Sequence, residues 1–328
     1  MVQTLCKHTH SLNAGLQINA LWALKHLVLE MDNSIRKPCL DTLGSGWLVQ
    51  LISDDDTSEG EGIRTRSRAG QRTAIDDDDE DMDKETPGGE DDGTHSEWTW
   101  AAQIHTSQVS ISARLRQAAA KLEALHEAEL NPARKARADR LAIREQALGF
   151  IRNFLTIPTP TGQLDMVDYL FTELGQDRLF SILADRLKVR VVGAVGRRAS
   201  SARGVGRDAL VLYPQARIVE NVAYILVHIA AGPPAYRQLV IAQTELVKLL
   251  GGHFNSKDAG VRRALCQLFI NLCWAESETD FEPCAQRVSA LEQLGFLAKL
   301  QGLQAEDADL GVRERARAAV GQMKAPAV

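Results

Sequence analysis

The feature that most constrains this chain is internal repetition. Four ten-residue segments align without gaps at 18–27, 145–154, 220–229 and 263–272, and a weaker fifth copy lies at 314–323. Each places apolar residues three or four positions apart, which is the spacing of one buried face of an α-helix. A chain built from such copies buries its core by stacking each repeat on the next.

The intervals between copies indicate the size of the repeat. The copies at 220–229 and 263–272 lie 43 residues apart, within the roughly 40–47 residues of helical two- and three-helix repeats. The other intervals, 75 and 127 residues, require insertions. Two stretches are suitable: an acidic tract with a basic, Ala-rich continuation at about 53–139, and a Gly/Arg-rich stretch at about 188–215.

The repeat without an insertion contains three helical segments. Their predicted bounds are 234–243, 245–250 and 259–274. Pro234 opens the first helix, and Gly251-Gly252 closes the second. The second-helix pattern recurs at 47–52, 179–187 and 294–300. Three helices with a long third are similar to an armadillo repeat, so the expected fold is an all-α, right-handed superhelical armadillo solenoid with long disordered insertions.

We divide the chain into one partial repeat and four repeats. A lone third helix occupies 1–30, and the repeats cover 31–156, 157–231, 232–275 and 276–328. The third helix at 1–30 is not preceded by a first and a second helix of its repeat, and an uncapped end of a solenoid would expose an apolar face. We therefore expect the chain to be the C-terminal part of a longer solenoid.

Charge is distributed unevenly along the chain. Residues 53–100 hold 17 acidic and 5 basic residues, a net charge of −12, whereas the whole chain carries −5 and the remainder +7. Almost no apolar residues interrupt this tract, so it cannot bury enough surface to offset the entropy of ordering. We predict that it is disordered.

Several chemistries lack the residues they need. The five cysteines form no CxxC pair, the eight histidines show no ligand spacing, and the glycines form no phosphate-binding motif. We therefore predict no catalytic residue, metal, cofactor or small-molecule substrate. No apolar stretch approaches membrane-spanning length, and the chain is expected to be intracellular. The basic tract at 134–137 lacks interleaved aromatic residues, so we interpret it as a solvated linker helix rather than a nuclear-localisation signal or a nucleic-acid patch.

Residues four apart on the third helices form a polar and aromatic stripe. In order, it reads Ile18/Trp22/His26, Glu145/Gly149/Asn153, Glu220/Tyr224/His228, Arg263/Gln267/Asn271 and, weakly, Glu314/Ala318/Gln322. The candidate protein-binding residues are Trp22, His26, Asn153, Tyr224, His228, Arg263, Gln267 and Asn271. Amides and imidazoles can hydrogen-bond an extended peptide backbone, and Trp and Tyr offer flat apolar surface. The stripe also fits the solvated face of ordinary amphipathic helices.

Two segments resemble a more particular family. They are 16–52 (LQINALWALKHLVLEMDNSIRKPCLDTLGSGWLVQLI) and 218–250 (IVENVAYILVHIAAGPPAYRQLVIAQTELVKLL). They resemble the armadillo-repeat subunit of the glucose-induced-degradation (GID, or CTLH) ubiquitin ligase, called vacuolar import and degradation protein in fungi. The resemblance implies an adaptor that docks on the ligase scaffold and carries a substrate receptor, so that metabolic enzymes are ubiquitylated and degraded by the proteasome in cytoplasm and nucleus. The catalytic RING subunits of such a ligase are other chains.

Other interpretations remain open at this point. An importin-α-like nuclear transport adaptor would need acidic groove residues, of which the stripe supplies Glu145 and Glu220. Another armadillo protein-interaction scaffold would fit the same helices. An enzyme carried on a helical scaffold would need a converging catalytic set, and the sequence shows none.

Overall fold

A computed structural model of the chain describes residues 1–53, 132–156, 160–192 and 210–324. The predicted disorder of 53–100 and most of both predicted insertions lie outside these residues. Two units are distinguished along the chain: Met1–Asp55 with Arg137–Val328, and Asp56–Ala136. Of the second unit, only residues 132–136 are described, and they are helical.

The described residues form fourteen α-helices, two short 3-10 helices and one pair of strands. In chain order these are α1 Val2–His8, α2 Ala14–Glu30, α3 Asn33–Leu43, α4 Ser45–Ser53, α5 Pro132–Leu155, α6 Pro160–Leu174, α7 Gln176–Leu187, β1 Arg190–Val192, β2 Leu210–Leu212, α8 Ala216–Ala230, α9 Pro234–Ala242, α10 Thr244–Leu250, the 3-10 helix Gly251–His253, α11 Ala259–Leu272, the 3-10 helix Glu278–Asp280, α12 Phe281–Gln293, α13 Phe296–Glu306 and α14 Leu310–Lys324.

This order is that of an armadillo-repeat solenoid. The long helices α2, α5, α8, α11 and α14 are the third helices, and each pair between them supplies a first helix (α3, α6, α9, α12) and a second helix (α4, α7, α10, α13). Helix α11 packs along both α8 and α14, so third helix stacks on third helix. The predicted all-α armadillo fold is confirmed.

Glycine sets the turn between the first and second helices. Gly44, Gly175 and Gly295 each follow a leucine and adopt φ between 79° and 86°, a region that side chains with a Cβ disfavour. For this reason α13 begins at Phe296, after the left-handed Gly295, and not at residue 294 as predicted. By contrast, Gly251 has an ordinary helical φ of −59° and continues α10 into a 3-10 turn. The α-helix ends at Leu250, before Gly251-Gly252, as predicted, but Gly251 caps it without the left-handed conformation that glycine usually adopts there.

The edges of the predicted insertions are regular structure. Helix α5 begins at Pro132, so 132–139 is helical, with Lys135 exposed as expected of a solvated helix. Strands β1 and β2 pair antiparallel in the register Arg190–Leu212, Val191–Val211 and Val192–Leu210. The two ends of the stretch predicted as flexible at 188–215 are therefore joined by a short antiparallel strand pair.

The N-terminal end is ordered by a helix that the sequence did not predict. Helix α1 packs on α2 and α3. His10 stacks on Trp47 with 4.3 Å between ring centroids, and the indole of Trp47 donates a hydrogen bond to Thr9 Oγ1 at 3.2 Å. The long helix α2 thus has a preceding helix to pack against, which the prediction of a lone third helix at 1–30 did not include.

Three third helices begin with the same capping device. The side chains of Asn13, Asp258 and Asp309 accept hydrogen bonds from backbone N–H groups in the first turns of α2, α11 and α14. These bonds satisfy donors that a helix start leaves without intrahelical partners. Because the capping residues occupy equivalent places in the repeat, they fix where each third helix starts.

Buried arginines on first helices tie together the C-terminal ends of third helices. Arg36 of α3 donates to Leu29 and Met31 at the end of α2, and to Phe154 and Thr156 at the end of α5. Its side chain is 2% exposed. One guanidinium has five donors in a fixed fork, so it can satisfy carbonyls from two helices at once.

The same device recurs towards the C-terminus. Arg237 of α9 donates to the carbonyl of Ala230, the last residue of α8, and to that of Trp274, just after α11. Arg287 of α12 also reaches Trp274 and forms a two-point ion pair with buried Asp280. Helix α6 differs: counted back from its Leu-Gly turn, the residue at the arginine position is Val167, which is fully buried.

Candidate protein-binding surface

The stripe on the third helices begins with an exposed aromatic pair on α2. Trp22 is 54% exposed, and its ring lies 4.5 Å from the ring of exposed His26. Covering an exposed indole with an apolar group is energetically favourable, so a partner protein could gain binding free energy here. Of the candidate residues, these two are the most accessible.

The two asparagines of the stripe hold neighbouring third helices together. The Nδ2 atom of Asn153 donates to the carbonyl of Lys25 on α2 at 2.8 Å, and that of Asn271 donates to the carbonyl of Val227 on α8 at 3.0 Å. In the repeat alignment these two carbonyls are equivalent. Each amide therefore uses one of its two N–H groups inside the solenoid, a role that the sequence did not suggest.

Gly149 makes room for a lysine from the previous repeat. A Cβ atom at this position would lie 2.6 Å from Cδ of Lys25, whose side chain crosses α5. The ammonium then donates to Oε1 of Gln146 at 2.8 Å. The absence of a side chain at Gly149 therefore leaves the space that the stem of Lys25 occupies.

An arginine, a tyrosine and a histidine meet between α5 and α8. The guanidinium of Arg152 lies 4.0 Å from the ring centroid of Tyr224, a cation–π contact. One turn along α8, His228 Nε2 shares a hydrogen bond of 3.1 Å with Thr156 Oγ1. All four side chains are half-buried.

Burial and positive charge act on the same cluster. Burial, followed by repulsion from Arg152, lowers the pKa of His228 to about 4, so the imidazole is neutral at pH 7. Burial also lowers the pKa of Lys25; the nearby Glu145 opposes this shift, and Arg152 and Arg217 add to it. The groove between α2, α5 and α8 thus concentrates cations in partly desolvated positions.

Further along the stripe, the candidate residues bond mainly to each other. Gln267 Nε2 donates to Asn271 Oδ1 at 3.0 Å on α11. Arg263 is half-buried near the start of α14, where its Cδ lies 3.6 Å from the place a Cβ of Gly311 would occupy. Glu314 and Ala318 on α14 are exposed, in keeping with their weak match to the stripe.

The structure therefore brings some predicted residues together and adds others. Tyr224 and His228 share one cluster, Trp22 and His26 a second, and Gln267 and Asn271 a third. Sequence reasoning missed Lys25 and Arg152. They occupy the same place in consecutive copies, seven residues after Ile18 and Glu145, and an alignment of cations as well as aromatics would have found them.

No group of three or more metal-ligating side chains converges in the part of the chain that the structure describes. None of the described helices combines the length and apolar character that crossing a membrane needs.

Comparisons with known proteins give short or distant matches. No family model matches the chain. A 58-residue stretch is 31% identical to Armadillo repeat-containing protein 8 of Danio rerio, covering 18% of this chain and 9% of that protein. A 57-residue stretch is 37% identical to the protein of the same name in Xenopus laevis, covering 17% of this chain and 8% of that protein. The chain thus aligns with less than a tenth of either relative's length.

Two solved structures with a related arrangement are engineered proteins. A designed armadillo repeat protein, YIII(Dq)4CqI, is 12% identical and superposes over 98% of this chain and all of its own, with a TM-score of 0.42. An engineered protein from the Northeast Structural Genomics Consortium is also 12% identical, with 98% of both chains covered and a TM-score of 0.47. The order and packing of the helices in this chain, described above, carry the fold assignment.

Proposed function

We propose that this chain is a non-catalytic adaptor subunit of a GID/CTLH-type ubiquitin ligase. In this role the third-helix stripe holds a substrate receptor, and another surface docks on the ligase scaffold, so that bound metabolic enzymes are ubiquitylated and degraded. The chemistry of ubiquitin transfer belongs to other subunits. The complex would work in the cytoplasm and the nucleus.

One observation carries the protein-binding part of this proposal. Exposed aromatic rings and half-buried polar side chains follow one another on consecutive third helices, from Trp22 on α2 to Tyr224 on α8. Neighbouring helices are about 8–10 Å apart and an extended chain rises about 3.3 Å per residue, so one repeat serves about three residues of a bound peptide. Such a surface suits an extended segment of another protein.

The choice of ligase rests on sequence similarity. The segments 16–52 and 218–250 resemble the armadillo subunit of this ligase, and a short stretch of the chain matches Armadillo repeat-containing protein 8. An importin-α-like transport adaptor is the competing proposal, since Glu145 and Glu220 could meet basic side chains of a nuclear-localisation peptide.

Affinity purification from the native cells, followed by mass spectrometry, tests the proposal. The wild type is compared with a Trp22→Ala, His26→Ala variant, which removes exposed rings without touching the asparagines that join third helices. Tyr213→Ala is the matched control, because Tyr213 is 75% exposed and lies outside the stripe. Circular dichroism should show equal helicity in all three.

We expect wild type and control to recover RING-type ligase subunits together with a substrate receptor, and the stripe variant to lose the receptor selectively. Recovery of importin-β and basic cargo would contradict the ligase proposal and support the transport adaptor instead. Equal recovery of all partners by the stripe variant would refute the stripe as the receptor surface.

A further inference from the structure

Two cations in the groove have no carboxylate partner. Lys25 on α2 and Arg152 on α5 are half-buried, and no Asp or Glu among the described residues lies within ion-pair distance of either. By contrast, Arg262 is paired with Asp307 and Arg287 with Asp280, and the buried Arg36 is surrounded by backbone carbonyls. Desolvated charges without a partner are costly, so these two positions stand out.

Both cations are held in place by uncharged contacts. The stem of Lys25 lies over Gly149, with its ammonium on Gln146 Oε1, and the guanidinium of Arg152 lies on the ring of Tyr224. In each case a cation seven residues after the start of one copy contacts the residue four positions after the start of the next copy. The two side chains are therefore oriented in the same way along the groove, one repeat apart.

The groove has a basic and a mixed edge. Glu145 and Glu220 stand at the start of their copies. Glu145 lies seven residues before Arg152, about 10 Å along α5, and it accepts a hydrogen bond from Gln146, the residue that also holds the ammonium of Lys25. Glu220 is already paired with Arg217 at 3.1 Å. A negative group arriving at Lys25 and Arg152 would therefore meet a guanidinium without an ion-pair partner and an ammonium whose charge Glu145 offsets in part, on the stripe that also carries the exposed Trp22.

We propose that Lys25 and Arg152 form a carboxylate-binding subsite, which takes Asp or Glu side chains of an extended peptide from a partner protein. The inference rests on the proposed protein-binding function of the stripe and specifies the chemistry of the ligand. Because one repeat matches about three peptide residues, the preferred ligand has two acidic residues about three apart, with an apolar residue for Trp22. Arginine can also bind a carboxylate through two parallel hydrogen bonds while it stacks on Tyr224.

A random peptide library displayed on phage, selected on the full purified chain, tests this subsite. The test variant is Lys25→Gln with Arg152→Gln. The matched control is Arg315→Gln with Arg317→Gln, which removes two exposed cations from third helix α14 and keeps the net charge of the two variants equal. Individual selected peptides are then measured by fluorescence anisotropy.

We expect peptides selected on the wild type and the control to be enriched in spaced Asp and Glu, and the test variant to bind those peptides about tenfold or more weakly. Replacing the acidic residues of a peptide by Asn or Gln should weaken binding to the wild type and leave binding to the test variant unchanged. Selection of basic or purely apolar peptides, unaffected by the test variant, would overturn the subsite but keep a peptide-binding groove.

Two further outcomes count against the inference. If no peptide binds the stripe, both the subsite and the proposed function fail. If acidic peptides bind only after residues 54–131 are deleted, the resident ligand is the chain's own acidic segment and a partner peptide is excluded.

Discussion

Two junctions between third helices, α8–α11 and α5–α8, are built in different ways. At α8–α11 the buried Arg237 of α9 bridges carbonyls at the ends of both helices and reaches Asp280. At α5–α8 the first helix α6 has Val167 at that position, and the lateral bonds come from third-helix side chains instead. Asn221 donates to the carbonyl of Glu145, and His228 bonds Thr156.

The two junctions differ in whether the residues that stack the repeats also line the proposed groove. At α8–α11 the guanidinium joins the helices from the first-helix side, and on the groove face Asn271 adds a hydrogen bond to the carbonyl of Val227. At α5–α8, Arg152, Tyr224 and His228 hold the repeats together and also line the proposed groove. Ligand binding and repeat stacking should therefore be coupled at this junction more than at α8–α11.

The largest effect should come from removing the arginine bridge. Arg237→Met leaves the Ala230 and Trp274 carbonyls without this donor and weakens the ion network of Asp280, so the free energy of unfolding should fall by about 3–5 kcal/mol. Val167→Ala, at the equivalent position of α6, should cost only about 1–2 kcal/mol for lost methyl groups. Urea unfolding followed by circular dichroism measures both.

The exposed neighbour Gln238→Ala serves as control and should stay within about 0.5 kcal/mol of wild type. If Arg237→Met costs no more than Val167→Ala, the buried arginine is not what distinguishes the two junctions.

The second effect is a loss of stability in acid that belongs to the α5–α8 junction. The pKa of His228 is lowered to about 4 in the folded chain, against about 6.5 when unfolded. Between these pH values the imidazole is protonated in the unfolded state and neutral in the folded state. The free energy of unfolding therefore falls as the pH drops from about 6.5 to about 4, by at most about 3 kcal/mol. Above about 6.5 this contribution is constant.

Replacing His228 by Gln should flatten this part of the pH dependence, measured by urea unfolding at about pH 7.5 and about pH 4.5. The exposed His26→Gln variant should keep it. An unchanged profile in His228→Gln would show that acid sensitivity arises elsewhere.

The third effect tests the fit of Lys25 over Gly149. Alanine in a helix is ordinarily more stable than glycine by about 0.5–1 kcal/mol, but here its Cβ would overlap the lysine stem. Gly149→Ala should therefore gain nothing in the wild type and should gain about 0.5–1 kcal/mol in a Lys25→Ala background. A double-mutant cycle with a coupling near zero would show that the two residues do not touch.

The smallest effect concerns the charge of Arg152. Arg152→Gln removes a cation–π contact, which should cost about 0.5–1 kcal/mol. It also removes one of the two causes that lower the pKa of His228, so that pKa should rise. An NMR titration of the His228 imidazole measures the shift, and a fall or no change in its pKa would contradict the described cluster.

The fold could be predicted because the third helices repeat one apolar spacing. Leu24, Ile151, Ile229 and Leu272 are buried, and their positions in the copies follow the helical period. The starts and ends of several shorter elements were harder to predict. Gly251 stays in a helical conformation, and strands β1 and β2 have three residues each, too few for a period to show.

The arginine bridges could not be predicted, because their partners are backbone carbonyls far along the chain. Arg36 bonds the carbonyl of Phe154, 118 residues away, and a carbonyl leaves no mark in the sequence. The same holds for Asn153, whose amide reaches the carbonyl of Lys25. Residue type suggested hydrogen bonding at these positions, but only the stacking of repeats decides that the partner lies inside the chain.

Hydroxyl-radical footprinting of the chain, free and within the assembly purified from native cells, tests most directly whether the third-helix stripe is the binding surface. Trp22 lies on the stripe, whereas Tyr213 and Trp274 are exposed aromatic residues outside it. We predict that the assembly protects Trp22 from oxidation and leaves Tyr213 as reactive as in the free chain. An assembly in which Trp22 stays fully reactive while Trp274 becomes protected would contradict this account and place the partner at the ends of the third helices.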